Sequence, residues 1–273
     1  MKTIVITGAS SGIGKATAKT FAAKGWKVAA TMRRPGLEAE LTQLQNVTLH
    51  ALDVTRERSI REAAEAILAR YDGVDVVLNN AGYALMGPFE AATPEEIERH
   101  FATNVFGLMS VTRAFLPHFR ARSAGTFLNV SSIGGLITFP LMSLYHASKW
   151  AVEGFSESLA YEVRELGIRV KLIEPGGVAT DFGGRSMAYA AKDGLTAYDD
   201  TVATFRKNIA GLGIQPSTAE HIAEGIFRAA TDDQEQLRYV IGDDAERFYA
   251  TRGDIGPEAF IADMRSRMFG GEG

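Results

Sequence analysis

The chain has 273 residues, enough for one large α/β domain or two small ones. A net charge of −4 disfavours general binding to nucleic acid, and 46% hydrophobic residues suffice for a full core. With no cysteine, disulfides and thiolate nucleophiles or metal ligands are excluded, and no apolar run reaches the roughly 18 residues of a membrane span.

The first apolar run, Thr3–Ile6, is a strand pattern that opens the chain directly, so a cytoplasmic protein is expected. Thr7-Gly8-Ala9-Ser10-Ser11-Gly12-Ile13-Gly14 follows, then a helical pattern over Gly14–Lys24. Glycines at a strand-to-helix turn let the backbone approach a charged ligand, and the helix behind aims free N–H groups and its positive end at it. A diphosphate fits such a turn. The spacing is Gly-x-x-x-Gly-x-Gly, not the commoner Gly-x-Gly-x-x-Gly. Strand Lys27–Met32 ends on Arg33-Arg34, and a helix is predicted over Leu37–Leu44. Strand Val47–Leu52 runs into Asp53-Val54; after helix Ser59–Tyr71, strand Val74–Leu78 runs into Asn79-Asn80-Ala81-Gly82. Thr93-Pro94-Glu95-Glu96 combines a capping Thr, Pro at the first helical position and Glu at the third. The stripe Ile97, Phe101, Val105, Leu108, Thr112, Phe115 and Phe119 carries that helix on to Arg120. Strand Gly125–Val130 ends on Ser131-Ser132, helix Leu144–Leu166 carries Tyr145 and Lys149, and strand Arg169–Ile173 leads to Pro175-Gly176-Gly177. Residues 181–216 hold five glycines among Met187, Tyr189, Tyr198 and Phe205, a composition that suits a lid or pocket wall. Strand Leu237–Ile241 closes a unit spanning 1–242, and 243–273 is expected to be its helical extension, with Phe248, Phe260 and Met268 closing the substrate side or an interface.

Continuous apolar strands alternating with helices predict an α/β fold: one doubly wound parallel sheet of about seven strands, helices on both faces. Ligands of such sheets bind at the carboxyl ends of the strands, where the glycine turn, Asp53-Val54, Asn80-Ala81-Gly82, Ser132 and Pro175-Gly176 converge. Tyr145 and Lys149, four residues apart, share a helical face. A free phenol is a poor base at neutral pH, and a fixed ammonium is expected to lower its pKa, making a workable general acid/base. A serine hydroxyl aimed at the same oxygen would stabilise developing charge. The five histidines show no metal-ligand spacing, and no metal is expected.

Together, Thr7-Gly8-x-x-x-Gly12-Ile13-Gly14, Asp53, Asn79-Asn80-Ala81-Gly82, Asn104, Ser132, Tyr145-x-x-x-Lys149 and Pro175-Gly176 resemble the short-chain dehydrogenase/reductase family in its classical branch, over about residues 1–242. The resemblance implies a Rossmann-type fold and hydride transfer between a nicotinamide cofactor and a carbonyl or secondary alcohol. It implies that Ser132, Tyr145 and Lys149 are catalytic, that Lys149 also holds the nicotinamide ribose, and that Asn104 completes a proton relay. It sets Asp53 against the adenine, unless that carboxylate only braces its turn. It sets Thr180, with Val178 before it, at the nicotinamide carboxamide, unless Thr180 caps the segment that follows. Ala30-Thr31-Met32-Arg33 with Ile173-Glu174-Pro175-Gly176 resembles the hydroxysteroid-dehydrogenase-like subgroup.

Met32 stands where NAD-binding relatives place an acid, no carboxylate follows before Glu38, and Arg33 and Arg34 come at once. A guanidinium binds a phosphate dianion with paired, charge-assisted hydrogen bonds, so NADP(H) is the expected cofactor, with Ser10 as a further ligand and either arginine as the main one. The pocket residues Leu85-Met86, Ile133–Phe139, Phe182 and Phe205 are mostly apolar and suit an apolar carbonyl substrate, although Arg185 or Lys192 leaves room for a charged one. The long helices point to a homodimer or homotetramer, or to core packing alone. The alternatives are an epimerase or dehydratase on the same scaffold and a non-catalytic nucleotide-sensing protein. The short C-terminal region disfavours the first, and the retained Tyr145 and Lys149 disfavour the second.

Overall fold

The computed structural model describes residues 1–179 and 187–270. Its strands are β1 (Thr3–Ile6), β2 (Lys27–Met32), β3 (Val47–Ala51), β4 (Val76–Asn79), β5 (Ala84–Met86), β6 (Gly125–Val130), β7 (Ile168–Pro175), β8 (Val178–Ala179), β9 (Met187–Tyr189), β10 (Ser217–Thr218) and β11 (Arg238–Ile241). Seven of them form one sheet in the order β3-β2-β1-β4-β6-β7-β11, every pairing parallel. The helices are α1 (Gly12–Ala23), α2 (Glu57–Arg70), α3 (Pro94–Phe101), α4 (Gly107–Arg122), α5 (Ser143–Val163), α6 (Asp199–Asn208), α7 (Ala219–Thr231), α8 (Asp243–Ile255) and α9 (Pro257–Phe269).

Alternate side chains of each strand enter opposite cores. Ile4 and Ile6 pack with Phe21, Leu128, Ile222 and Ile226 beneath α1 and α7, whereas Val5 packs with Ile67, Val111, Phe115, Phe127 and Leu159 beneath α2, α4 and α5. Each fully buried Ile or Phe contributes about 1.5–3 kcal/mol, which explains why the strands read as unbroken apolar runs. The order reverses between β1 and β4, and this switch point opens a crevice above the carboxyl ends of both strands.

Three sequence expectations change. The helix expected over Leu37–Leu44 is absent; two 3-10 turns, Pro35–Leu37 and Leu41–Gln43, stand there instead. Leu37, Leu41 and Leu44 keep a helical spacing, but only Leu41 is completely buried and Leu37 is exposed, so little apolar burial holds a helix there. The carboxylate of Glu38 accepts the N–H groups of Glu40 (2.9 Å) and Leu41 (3.1 Å) and so satisfies them without one. The helix expected through Ile97–Arg120 is interrupted by a π-helical turn, Ala102–Phe106, between α3 and α4. The 181–216 stretch is partly ordered structure: β9 pairs in parallel with β5, and α6 follows. Residues 181–186 of that stretch and Thr180 lie outside the described residues. Phe248, Phe260 and Met268 pack with Ile133, Ile137 and Phe205, so α8 and α9 cover the loop that follows β6. Among the described residues, no helix is long and apolar enough to cross a membrane.

Candidate active site

The glycine turn is built as the spacing demands. Gly8 takes φ +69° and Gly12 φ +51°, both left-handed. A Cβ on Gly14 would lie 2.5 Å from the Gly8 carbonyl oxygen and 2.6 Å from Asn80 Nδ2, so only glycine fits. The Asn80 amide donates to the carbonyls of Thr7 (2.9 Å) and Gly8 (3.2 Å), and the Thr7 hydroxyl accepts the N–H groups of Asn80 and Ala81. Asn80 therefore shapes the cradle with its side chain. Ser10 is exposed at the rim, and Ser11 and Ile13 are half-buried beside it. This cradle, empty of side chains and fronting a helix N-terminus, fits the diphosphate of a dinucleotide.

At the far end of the cradle, Met32 is buried while Arg33 and Arg34 are exposed. Glu38, the first carboxylate after β2, is turned into its own loop and held by Lys15 at 3.2 Å. Lys15 also bonds Glu40 at 2.6 Å, fastening this loop to α1. Asp53 Oδ1 accepts from the Thr55 N–H (3.0 Å) and hydroxyl (2.7 Å), the bracing role of a turn carboxylate. Burial works to raise the Asp53 pKa, but the Thr55 bonds, Arg33 and Arg56 outweigh it and the carboxyl lies below its ordinary value. Val54 packs against Gly107, where a Cβ would lie 2.9 Å from the valine side chain.

The four predicted catalytic residues come together. Tyr145, Lys149, Ser132 and Asn104 are all buried. The Ser132 side chain acts on the Tyr145 hydroxyl and favours its ionised form, and Ser132 Oγ accepts the Gly134 N–H at 3.0 Å. Lys149 Nζ stands 5.7 Å from the centre of the Tyr145 ring and donates to the Val130 carbonyl at 2.9 Å. Asn104 lies in the π-helical turn, a local widening frequent at functional sites. Its amide clamps Tyr83, donating to the carbonyl (2.8 Å) and accepting the N–H (3.0 Å), and donates to Ser148 Oγ at 3.2 Å.

The electrostatics correct one expectation. Burial raises the Tyr145 pKa above its ordinary value, and the Ser132 hydroxyl offsets this only in part. Burial also pushes the Lys149 ammonium down to about 8, against the pull of Glu153. The ammonium is bonded to a carbonyl instead of the phenol, so desolvation outweighs it at the hydroxyl. The tyrosine holds its proton at neutral pH.

Three supporting residues carried no local sequence signal. His100 lies one helical turn before Asn104, with Nε2 3.4 Å from the Asn104 amide and its ring 5.0 Å from Tyr83 and 6.4 Å from Tyr145. His146 accepts the Phe139 N–H on Nε2 and faces the Gly134 carbonyl through Nδ1, each at 2.8 Å, so the Nδ1–H form fastens the loop after Ser132. Asp244 of α8 accepts the Gly177 N–H at 2.8 Å, and a side chain on Gly176 would collide with it. The Pro175-Gly176-Gly177 turn thus depends on the C-terminal helices. Val178 follows in β8, paired to β10.

A cavity of about 370 Å³ is lined by Met86, Leu141, Tyr189, Leu195, Val202 and Phe205 together with the charged Lys192, Asp199 and Arg206.

Residues 2–189 match the family described as short chain dehydrogenase. The chain belongs to the short-chain dehydrogenase family. An uncharacterized oxidoreductase of Schizosaccharomyces pombe is 39% identical over 242 residues, 87% of this chain and 99% of its own. A 3-ketodihydrosphingosine reductase of Bacteroides thetaiotaomicron is 42% identical over 179 residues, 66% of this chain and 65% of its own. A short-chain dehydrogenase from Streptomyces avermitilis superposes with a TM-score of 0.85 at 36% identity, covering 97% of this chain and 95% of its own. Two further structures at 26% identity contain different nicotinamide nucleotides. An alcohol dehydrogenase from Thermococcus sibiricus holds 5-hydroxy-NADP (TM-score 0.72; 88% of this chain, 96% of its own). A 3-ketoacyl-(acyl-carrier-protein) reductase from Brucella melitensis holds NADH (TM-score 0.75; 89% and 98%). The protein is therefore a short-chain dehydrogenase-type oxidoreductase.

Proposed function

We propose that the protein is an NADP(H)-dependent reductase of small apolar carbonyl compounds. The observation that carries this is the burial of Tyr145, Ser132 and Lys149 together, with the Lys149 ammonium 5.7 Å from the Tyr145 ring. A bound nicotinamide dinucleotide would supply the hydride in reduction and accept it in oxidation. Tyr145 gives its proton to the substrate oxygen, and Ser132 hydrogen-bonds that oxygen as charge develops on it. A phenol held protonated by burial is prepared for donation, the direction of carbonyl reduction. Lys149 would hold the nicotinamide ribose and return a proton toward Tyr145, and Asn104 fixes the widened turn on which the relay continues. Gly8, Ser10, Ser11, Gly12, Ile13 and Gly14 would hold the diphosphate, Asp53 and Val54 the adenine, and Asn80, Ala81, Gly82, Pro175, Gly176 and Val178 the nicotinamide half; the same role is assigned to Thr180, outside the described residues, by the family resemblance alone.

NADP(H) is favoured because the crevice offers cations and no free carboxylate at the end of β2. Met32 is buried and Glu38 is spent on its own loop, while Arg33 and Arg34 make no ion pair among the described residues. The apolar cavity and the relative named for 3-ketodihydrosphingosine reduction support an apolar ketone; the steroid-like subgroup stays within this reading. NADPH oxidation against a panel of ketones and aldehydes tests it. The expected result is turnover of apolar ketones with kcat/KM at least about tenfold higher for NADPH than for NADH. Equal or better use of NADH would overturn the cofactor assignment, and NADPH binding without any turnover would favour a nucleotide-sensing protein.

The chain is further proposed to form a homodimer or homotetramer. Trp150 and Tyr161 on α5 are 46% and 76% exposed, and Gly154, between them on the same face, meets nothing within 4 Å. A Trp150→Glu/Tyr161→Glu variant is expected to elute as a monomer with its fold intact, and unchanged assembly would contradict this interface.

A further inference from the structure

One turn along α5 from Lys149, a second buried cluster is not used by the chemistry above. Glu153 is 6% exposed and Glu174, on β7, is fully buried. Arg238 of β11 reaches both through one nitrogen, Nε lying 3.3 Å from Glu153 Oε2 and 3.4 Å from Glu174 Oε1. Its Nη2 is given to Glu157, at 2.7 Å. Ser131 completes the group. A Cβ on Gly135 would lie 2.5 Å from Ser131 Oγ and 2.9 Å from Glu153 Oε1, so hydroxyl and carboxyl surround one point that only glycine leaves free. None of the four carboxyl oxygens of Glu153 and Glu174 accepts a hydrogen bond of ordinary geometry from the described residues.

Two buried anions served by one Nε, of a guanidinium that also pairs with Glu157, carry a large uncompensated desolvation cost. One hydrogen held between the carboxyls supplies the missing donor and removes one charge. The electrostatics agree with this arrangement: burial and the neighbouring carboxyl push Glu174 up, and burial pushes Glu153 up. We propose that Glu153 and Glu174 share one proton at neutral pH, and that the single negative charge left on the pair is the counter-charge that keeps Lys149 an ammonium. The second half rests on the role proposed for Lys149. The groups facing the pair are Lys149 and Glu157 from α5, Arg238 from β11 and Ser131 after β6. Of the cations, Lys149 alone is buried, and Glu153 opposes its loss of charge.

If the proton is shared, the two carboxyls substitute for one another. Glu153→Gln and Glu174→Gln each leave a lone carboxylate that ionises, and only the double variant loses the charge. Infrared spectra of the full chain, edited with 13C-glutamate at pH 7, should show a protonated-carboxyl band in the wild type that disappears in each single variant. The nitrogen NMR titration of Lys149 Nζ, and the alkaline limb of kcat/KM for NADPH-dependent reduction, should stay within about 0.3 pH units in the single variants. Both should move down by about one unit in the double variant. No band in the wild type, or a band that survives Glu153→Gln, overturns the sharing. A Lys149 titration unmoved in the double variant overturns the counter-charge. Should the double amide fail to fold, Glu153→Met/Glu174→Gln carries the same measurement. A failure of the hydride-transfer reading is distinguishable, because it would abolish turnover in the wild type and leave the infrared and NMR results unaffected.

Discussion

His100 shows how strongly single side chains behind the crevice are tied to its electrostatics. Its ring is fully buried between Tyr83 and Tyr145, and burial together with the Lys149 ammonium lowers its pKa to about 4. Between pH 6.5 and 4 the unfolded chain takes up a proton that the folded chain refuses, so stability falls as the pH drops through that window. The full loss is on the order of 3 kcal/mol. Urea unfolding at pH 7 and pH 4.5 should show a smaller difference for His100→Gln than for the wild type, and an equal difference would contradict a buried neutral His100. Tyr145 behaves in the opposite sense to the sequence expectation. The spacing of Tyr145 and Lys149 puts both on one helical face, but spacing does not report desolvation, and burial decides the sign of the shift.

At the scale of elements, the glycine turn between β1 and α1 is the part most fully legible in the sequence. Its glycines are required by backbone geometry that local spacing records: left-handed φ at Gly8 and Gly12, and no room for a Cβ at Gly14. Gly14→Ala would drive its methyl against the Gly8 carbonyl and the Asn80 amide. It is expected to weaken NADPH binding at least about tenfold by fluorescence titration while far-ultraviolet dichroism stays unchanged. Unaltered affinity would contradict the cradle. The seven strands of the sheet were legible for a similar reason, since two-sided burial writes itself as continuous apolar runs. The stretch after Arg34 was not. Its apolar residues recur at helical spacing, yet Lys15 and Lys19 of α1 draw Glu38 and Glu40 into ion pairs, and tertiary contacts override the local pattern. The π-helical turn at Asn104 was equally hidden, because the spacing of four from Phe101 to Val105 suits an ordinary helical turn as well as a widened one.

At the scale of the whole molecule, the site exists only because the sheet gathers it. The glycine turn follows β1, the Asn80–Gly82 turn follows β4, Ser132 follows β6, Gly176 follows β7, and Tyr145 and Lys149 come from α5. Asp244 adds α8 to the list by holding the Gly177 N–H, so the C-terminal helices support the Pro175-Gly176-Gly177 turn as well as the apolar wall. Contacts between segments so distant in the chain leave no periodic trace, which is why Asp244 and the Glu153–Glu174 pair were invisible in the sequence while the residues of Tyr145-x-x-x-Lys149 were not. The proposed reaction turns on one transferable proton, and Tyr145→Phe removes it while leaving the ring, Lys149 and the cradle in place. Measured side by side with the wild type, the variant should bind NADPH with a Kd within about twofold and reduce an apolar ketone at least about 100-fold more slowly in kcat. Reduction at close to the wild-type rate would contradict Tyr145 as the proton donor.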